Sequence, residues 1–151
     1  MIKERFTAPV TIHLLLMKED AILLLRRYNT GYEDGNYSVV AGHLDGRETV
    51  KQAAIREAKE EAGVDILEED VEMVSVMHRI EGYERVDFFA VIREWEGEIV
   101  NLGPHKCDDL RFFPLGDLPS NVIPYISRAI DNYRDKRWFD SFGWSEEQFH
   151  R

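Results

Sequence analysis

Residues 42–64 read GHLDGRETVKQAAIREAKEEAGV, an acidic helical run bracketed by glycines. Glu57, Glu60 and Glu61 stand at i, i+3 and i+4, which sets three carboxylates on one face of a helix. Like charges so close weaken a helix unless a cation sits among them. Hard oxygen ligands of this kind suit magnesium or manganese, and magnesium leaves coordination positions for phosphate oxygens. The pattern therefore points to phosphate chemistry. The plain alternative is a solvated acidic face beside Arg56 and Lys59, each i,i+4 pair contributing about 0.2–0.5 kcal/mol. The glycines favour the metal site: Gly42 and Gly46 bracket a turn before the helix, and Gly63 stands where a left-handed residue ends one.

Outward from this helix, placed from about Glu48 to Ala62, the chain alternates strand and turn signals. Thr49 or a nearby residue is the expected cap, and Val50, Ala54, Ala58 and Ala62 form the packed side, small enough to lie close on a sheet. Residues 8–17 and 21–27 read as a hairpin of buried strands about the turn Lys18-Glu19-Asp20, followed by a polar loop from Asn29 to Asn36 and a short strand from Tyr37 to Ala41. Residues 71–80 and 85–95 read as two strands joined at Glu81-Gly82-Tyr83, and 109–113 as a last short strand. Residues 119–134 carry apolar side chains at helical spacing: Val122, Tyr125, Ile126 and Ile130. The aromatic tail from Lys136 to Arg151 (Trp138, Phe139, Phe142, Trp144, Phe149) is expected to pack over the core, with a dimer contact or a place beside the substrate as alternatives. Two helices with five to seven strands in mixed order imply an α/β/α sandwich.

The whole chain sets outer bounds. Its 151 residues suit one domain, and 44% hydrophobic with 32% charged residues marks a globular chain. A formal charge of −10 argues against nucleic-acid polymers as partners but leaves room for a nucleotide held through a divalent cation. Cys107 is the only cysteine, so a reducing, cytoplasmic setting is expected. No run approaches about 18 apolar residues, and neither export nor membrane spanning is expected. His13, His43, His78, His105 and His150 show no ligand spacing.

Gly42, Glu48 and the run Arg56-Glu57-Ala58-Lys59-Glu60-Glu61-Ala62-Gly63-Val64 resemble the Nudix box, G-x5-E-x7-R-E-U-x-E-E-x-G-U, at every fixed polar and glycine position. Ala58 stands where a larger aliphatic residue is common, yet it packs and favours helix. The resemblance implies one Nudix domain over residues 1–151, an α/β/α sandwich with a mixed β-sheet. The implied activity is Mg2+-dependent hydrolysis (Mn2+ as the alternative ion) of a diphosphate linkage in a nucleoside diphosphate derivative, a nucleoside triphosphate first among them. The implied metal ligands are Glu57 and Glu61, with Glu60 as a further ligand, direct or through water, or as the base. The Gly42 carbonyl would complete the site. Arg56 and Glu48 would be the pair that aims the helix carboxylates; as an ordinary surface ion pair they would contribute at most about 1 kcal/mol.

Outside the box the resemblance is to MutT-type pyrophosphatases. Arg26 and Arg27 lie where those enzymes carry two arginines, the second of which contacts the nucleotide, so Arg27 is a substrate-binding candidate; a strand-end arginine in solvent is the alternative. Trp95-Glu96-Gly97-Glu98 is also MutT-like. Pro119-Ser120-Asn121 resembles a stretch whose asparagine reads the purine base, and Asn121 reads equally well as a helix N-cap. One position departs: Gly103, before Pro104, stands where many relatives carry a glutamate, and Asp108 or Asp109 is the candidate replacement. The partner expected is a small nucleotide, with a homodimer left open. The rival readings are a catalytically silent nucleotide-binding module, a hydrolase of an NDP-sugar or dinucleotide, and an isoprenoid isomerase of the same fold, for which Cys107 falls too late in the chain.

Overall fold

Strand β1 (Val10–Lys18) is buried on both faces and organises everything around it. Ile12, Leu14 and Leu16 point into one apolar cluster, Leu15 and Met17 into the other, the period-2 alternation of a central strand. The computed structural model describes residues 3–145; Phe149 and His150 lie outside them.

β1 changes partners along its length. Near its end it forms a hairpin with β2 (Ala21–Arg27) through Met17↔Ile22 and Lys18↔Ala21, with Glu19 at φ 56° in the turn. Nearer its start it pairs antiparallel with β4 (Val40–His43), Ile12 opposite Gly42 and His13 opposite Ala41. Its other edge runs parallel to β6 (Tyr83–Ile92). β6 pairs antiparallel with β5 (Glu72–Glu81), and β5 pairs parallel with β8 (Phe139–Phe142). β2 carries β7 (Cys107–Pro114) along one edge and β3 (Tyr37–Ser38) on the other. Helix α1 (Val50–Glu57) packs its alanines into one cluster, and α2 (Pro124–Arg134) packs Ile126, Ala129 and Ile130 into the other. This is the expected sandwich, a mixed sheet between helices. Among the described residues no helix is long and apolar enough to cross a membrane.

Several expected elements are redrawn. The helix expected to run to Ala62 is α-helical only through Glu57, and Ala58–Ala62 form a π turn before Gly63 at φ 72°. The strand expected over 37–41 breaks into β3 and β4 because its two ends serve different partners, β2 and β1. The second helix begins at Pro124, since Tyr37 exchanges backbone hydrogen bonds with Asn121 and Ile123 and holds that approach extended. The tail does more than cover the core: Phe139–Phe142 adds an edge strand.

Candidate active site

Thr49 and Gln52 form a capping box, each side chain bonding the other's backbone N–H at 3.0 and 2.9 Å, a device that stabilises a helix start by about 1 kcal/mol. Beyond the cap Ala53, Ala54, Ala58 and Ala62 are fully buried, so the helix lies close on the sheet. The close approach brings Glu57, only 7% exposed, onto the backbone of Gly42 in β4. A Cβ at position 42 would sit 2.0 Å from Glu57 Oε1. A side chain at position 42 would have to push the Glu57 carboxylate off the β4 backbone, so glycine there keeps that seat open.

The π turn then separates the acidic residues. Bonding i→i+5 widens the turn and carries an extra residue, a feature common at functional sites. Glu61 swings inward and accepts the Ala41 N–H at 3.2 Å, while the Glu60 side chain stays 58% exposed at the rim. Burial first, then the neighbouring Glu57 charge, pushes the Glu61 pKa up to about 7. Burial likewise raises Glu57, against the opposing pull of Arg56. The three carboxylates therefore do not share one α-helical face: two turn in toward β4 and one turns out.

Among the described residues Arg56 is the cation that bonds Glu57 and Glu60. Its Nη2 donates to Glu48 Oε1 at 2.7 Å and to the His43 carbonyl at 3.1 Å, and its Nε to Glu48 Oε2 at 3.2 Å. Its Nη1 reaches Glu57 Oε1 at 2.7 Å and Glu60 Oε2 at 3.5 Å. The Glu48 carboxyl is held below the ordinary range by Arg56 and by the Asp45 N–H. Arg56 is thus tied to the loop after β4 on one side and to two acidic residues on the other.

The donor set consists of hard carboxylate oxygens whose mutual repulsion the protein leaves only partly compensated, beside a glycine backbone with no Cβ in the way. In chemistry it fits Mg2+ or Mn2+. In the arrangement described, with Arg56 bonded to Glu57, no group of three or more His, Cys, Asp or Glu side chains among the described residues stands close enough to grip an ion.

Arg27 closes β2 at the mouth of the β2–β3 loop, and its charge acts on Glu61, pulling that pKa down. Asn121 is not a cap: Ile123 occupies the N-cap of α2, and the Asn121 amide donates to the Gly35 carbonyl at 2.7 Å. Neither candidate for the absent loop glutamate joins the acidic turn. Asp108 pairs with Arg26 at 2.7 Å, and Asp109 accepts from Tyr37 Oη at 2.5 Å and from Arg111 Nε at 3.1 Å. The loop holding Gly103 is nonetheless stitched to the turn, Val100 N–H bonding the Ala62 carbonyl at 3.0 Å.

Sequence reasoning missed a second charged cluster. His13, 2% exposed, bonds Tyr125 Oη through Nε2 at 2.8 Å, and Arg79 Nε holds Asp87 at 2.6 Å beside it. The signal was available: about the turn at Gly82, Arg79 and Asp87 become diagonal neighbours on one face of the β5–β6 hairpin.

A family model described as NUDIX domain matches residues 7–135. Among solved structures, a MutT NUDIX hydrolase from Burkholderia pseudomallei is similar over 83% of this chain and 98% of its own, at 24% identity and a TM-score of 0.77. The MutT protein of Methanosarcina mazei Go1 matches 89% of this chain and 99% of its own, at 15% identity and a TM-score of 0.73. A bifunctional NMN adenylyltransferase/ADP ribose pyrophosphatase from Francisella tularensis, complexed with AMP and a Mn ion, matches 86% of this chain and 42% of its own, at 20% identity and a TM-score of 0.68. At these identities the likeness is one of fold.

Proposed function

This chain belongs to the NUDIX domain family, hydrolases of diphosphate bonds in nucleoside diphosphate derivatives, and on that premise we propose that it cleaves a nucleoside triphosphate with the help of Mg2+ or Mn2+. The observation that carries the reading is the pair of inward carboxylates, Glu57 seated on Gly42 and Glu61 on the Ala41 N–H. Glu57, Glu61 and the Gly42 carbonyl would hold the ion, with Glu60 joining directly or through water. The chemistry supplied by such an ion is neutralisation of the diphosphate charge that otherwise repels an attacking water.

The chain's own residues divide the remaining work. Glu60, on the rim and open to solvent, would orient or deprotonate the water. Arg56, fixed by both Glu48 oxygens, holds Glu57 in place. Arg27 makes no ion pair among the described residues and has guanidinium N–H groups left for phosphate oxygens. Asn121 offers donor and acceptor to a base once its amide leaves Gly35. Cys107 is the only cysteine and allows no internal disulfide, which supports a reducing, cytoplasmic setting.

The test is a substrate panel of nucleoside triphosphates, NDP-sugars and dinucleotides with Mg2+ or Mn2+, products identified by mass. The expected result is metal-dependent cleavage of a triphosphate in preference to the other classes. A stronger preference for an NDP-sugar or dinucleotide overturns the substrate assignment, and binding without turnover overturns the enzyme reading.

A further inference from the structure

The two substrate-binding candidates, Arg27 and Asn121, reach the same loop. Residues 28–36 form it, and its base is closed by Arg27 N–H to the Asn36 carbonyl at 2.9 Å and Gly35 N–H to the Arg27 carbonyl at 2.8 Å. Inside, the Asp34 carboxylate accepts from the Thr30 hydroxyl at 2.6 Å and from the N–H groups of Thr30 and Gly31 at 3.0 and 2.9 Å, so the loop has a fixed shape. Arg27 lies against it: Nε donates to the Tyr32 carbonyl at 2.7 Å, Nη2 to Thr30 Oγ1 at 3.0 Å, and the guanidinium stands 5.2 Å from the Tyr32 ring centre.

The loop is moored from outside at two points. Asn121 bonds the Gly35 carbonyl. The Tyr32 hydroxyl donates to Glu81 Oε2 at 2.7 Å, and the same oxygen accepts from Arg79 Nη1 at 2.8 Å. Arg79 is 2% exposed and locked on Asp87, which is fully buried. A continuous polar chain therefore runs from the core, Asp87–Arg79–Glu81–Tyr32, to the guanidinium of Arg27. Burial and the Glu81 bond push the Tyr32 pKa up to about 12, so the hydroxyl remains a donor at any physiological pH.

We propose that Tyr32 is a positioning residue for substrate binding: its carbonyl aims the Arg27 guanidinium, and its hydroxyl, moored on Glu81, fixes where that carbonyl stands. The inference rests on Arg27 contacting the nucleotide, as in the proposed function. Tyr32 itself touches no substrate. Losing its mooring loosens the grip on phosphate and leaves the acidic turn, with its chemistry, as it was.

The test is Tyr32→Phe, which keeps the ring and the carbonyl and removes only the hydroxyl. Binding of a non-hydrolysable, methylene-bridged nucleoside triphosphate is measured by calorimetry beside turnover kinetics and thermal melting. The expected result is a Kd and KM raised about three- to tenfold, kcat within about twofold of the parent and a Tm lowered by no more than about 4 °C. In an Arg27→Ala background Tyr32→Phe adds nothing further, because the two residues act as one unit. Glu81→Gln, which retains an acceptor oxygen, has a smaller effect than Glu81→Ala. Unchanged analogue affinity in Tyr32→Phe overturns the proposal, as does an equal loss in the Arg27→Ala background. A parent that binds the analogue but hydrolyses nothing breaks the hydrolase reading while the binding arm still decides Tyr32; a parent that binds no nucleotide overturns both.

Discussion

Asp87 and Glu61 lie near the same stretch of β1, and their surroundings are opposite. Asp87 is fully buried against Thr11, whose hydroxyl donates to it at 2.5 Å, and against Arg79 at 2.6 Å. Burial pushes its pKa up, but the Arg79 and Thr11 bonds outweigh that and bring it below the ordinary carboxylate range. Glu61 touches the backbone of Ala41, the residue opposite His13 of β1, and has one N–H, two neighbouring carboxylates and only the unbonded charge of Arg27 to set against them. Its pKa rises to about 7. One buried acid has a fixed cation and the other has not. A matched charge serves the fold; an unmatched one is kept at a cost to stability, and here it falls where the proposed ion would bind.

The comparison breaks most visibly in turnover. Glu61→Gln or Glu60→Gln should lower kcat/KM by about 10²–10⁴-fold while circular dichroism and melting show an intact fold. Full activity in either variant would remove the acidic turn from the mechanism. Asp87 lies in the opposite class, and the damage from stripping its cation should fall on stability. Arg79→Met leaves a buried carboxylate unpaired and should cost about 3–5 kcal/mol in denaturant unfolding. A loss below about 1 kcal/mol would mean that the pair does not hold the two strands together.

Protonation sharpens the contrast. Burial lowers the His13 pKa to about 4 from its ordinary 6.5, so between these values the unfolded chain binds a proton that the folded one refuses. Stability from this source is full above pH 6.5 and falls by as much as about 3 kcal/mol as the pH drops to 4. Glu61 works the other way: folded about 7 and unfolded 4.5, it favours folding fully below pH 4.5 and loses as much as about 3 kcal/mol as pH rises through 7. In chelator the two slopes oppose each other between pH 4.5 and 6.5, and the parent's profile should lie between those of the two variants that remove one slope each. Glu61→Gln should leave stability falling toward acid; His13→Gln should leave it rising toward acid. Urea unfolding across this range checks both, and identical profiles in all three proteins would refute the assigned charges.

The smallest effect is expected at Asn121. Asn121→Ala removes one hydrogen bond to the loop, worth about 1 kcal/mol, and should shift preference among bases more than rate with a good substrate. An unchanged preference would confine Asn121 to holding Gly35.

Much of this was legible from the residues. The hairpin of β1 and β2, the alanine stripe at 54, 58 and 62, the Thr49 cap and the terminating Gly63 all follow from local pattern, and the structure has each of them. The π turn was not, because Ala58–Ala62 is ordinary helix-forming sequence and only packing against β4 and the 100–102 segment selects the wider turn. Strand β8 was hidden because its pairing with β5 spans more than sixty positions, as Val76↔Phe139 shows, and parallel pairing leaves no turn signal. The partner of Asn121 was likewise beyond local reading, since Gly35 is 86 residues away.

Titration of Mn2+ into the parent, Glu57→Gln and Glu61→Gln addresses the acidic turn most directly, since it reads ion binding without any substrate. The expected result is a saturable site in the parent and affinity reduced in each variant by at least the 10–100-fold (roughly) that even a supporting residue costs a metal site. Equal Mn2+ binding in all three proteins, or none in the parent, would contradict the reading of Glu57 and Glu61 as an ion site.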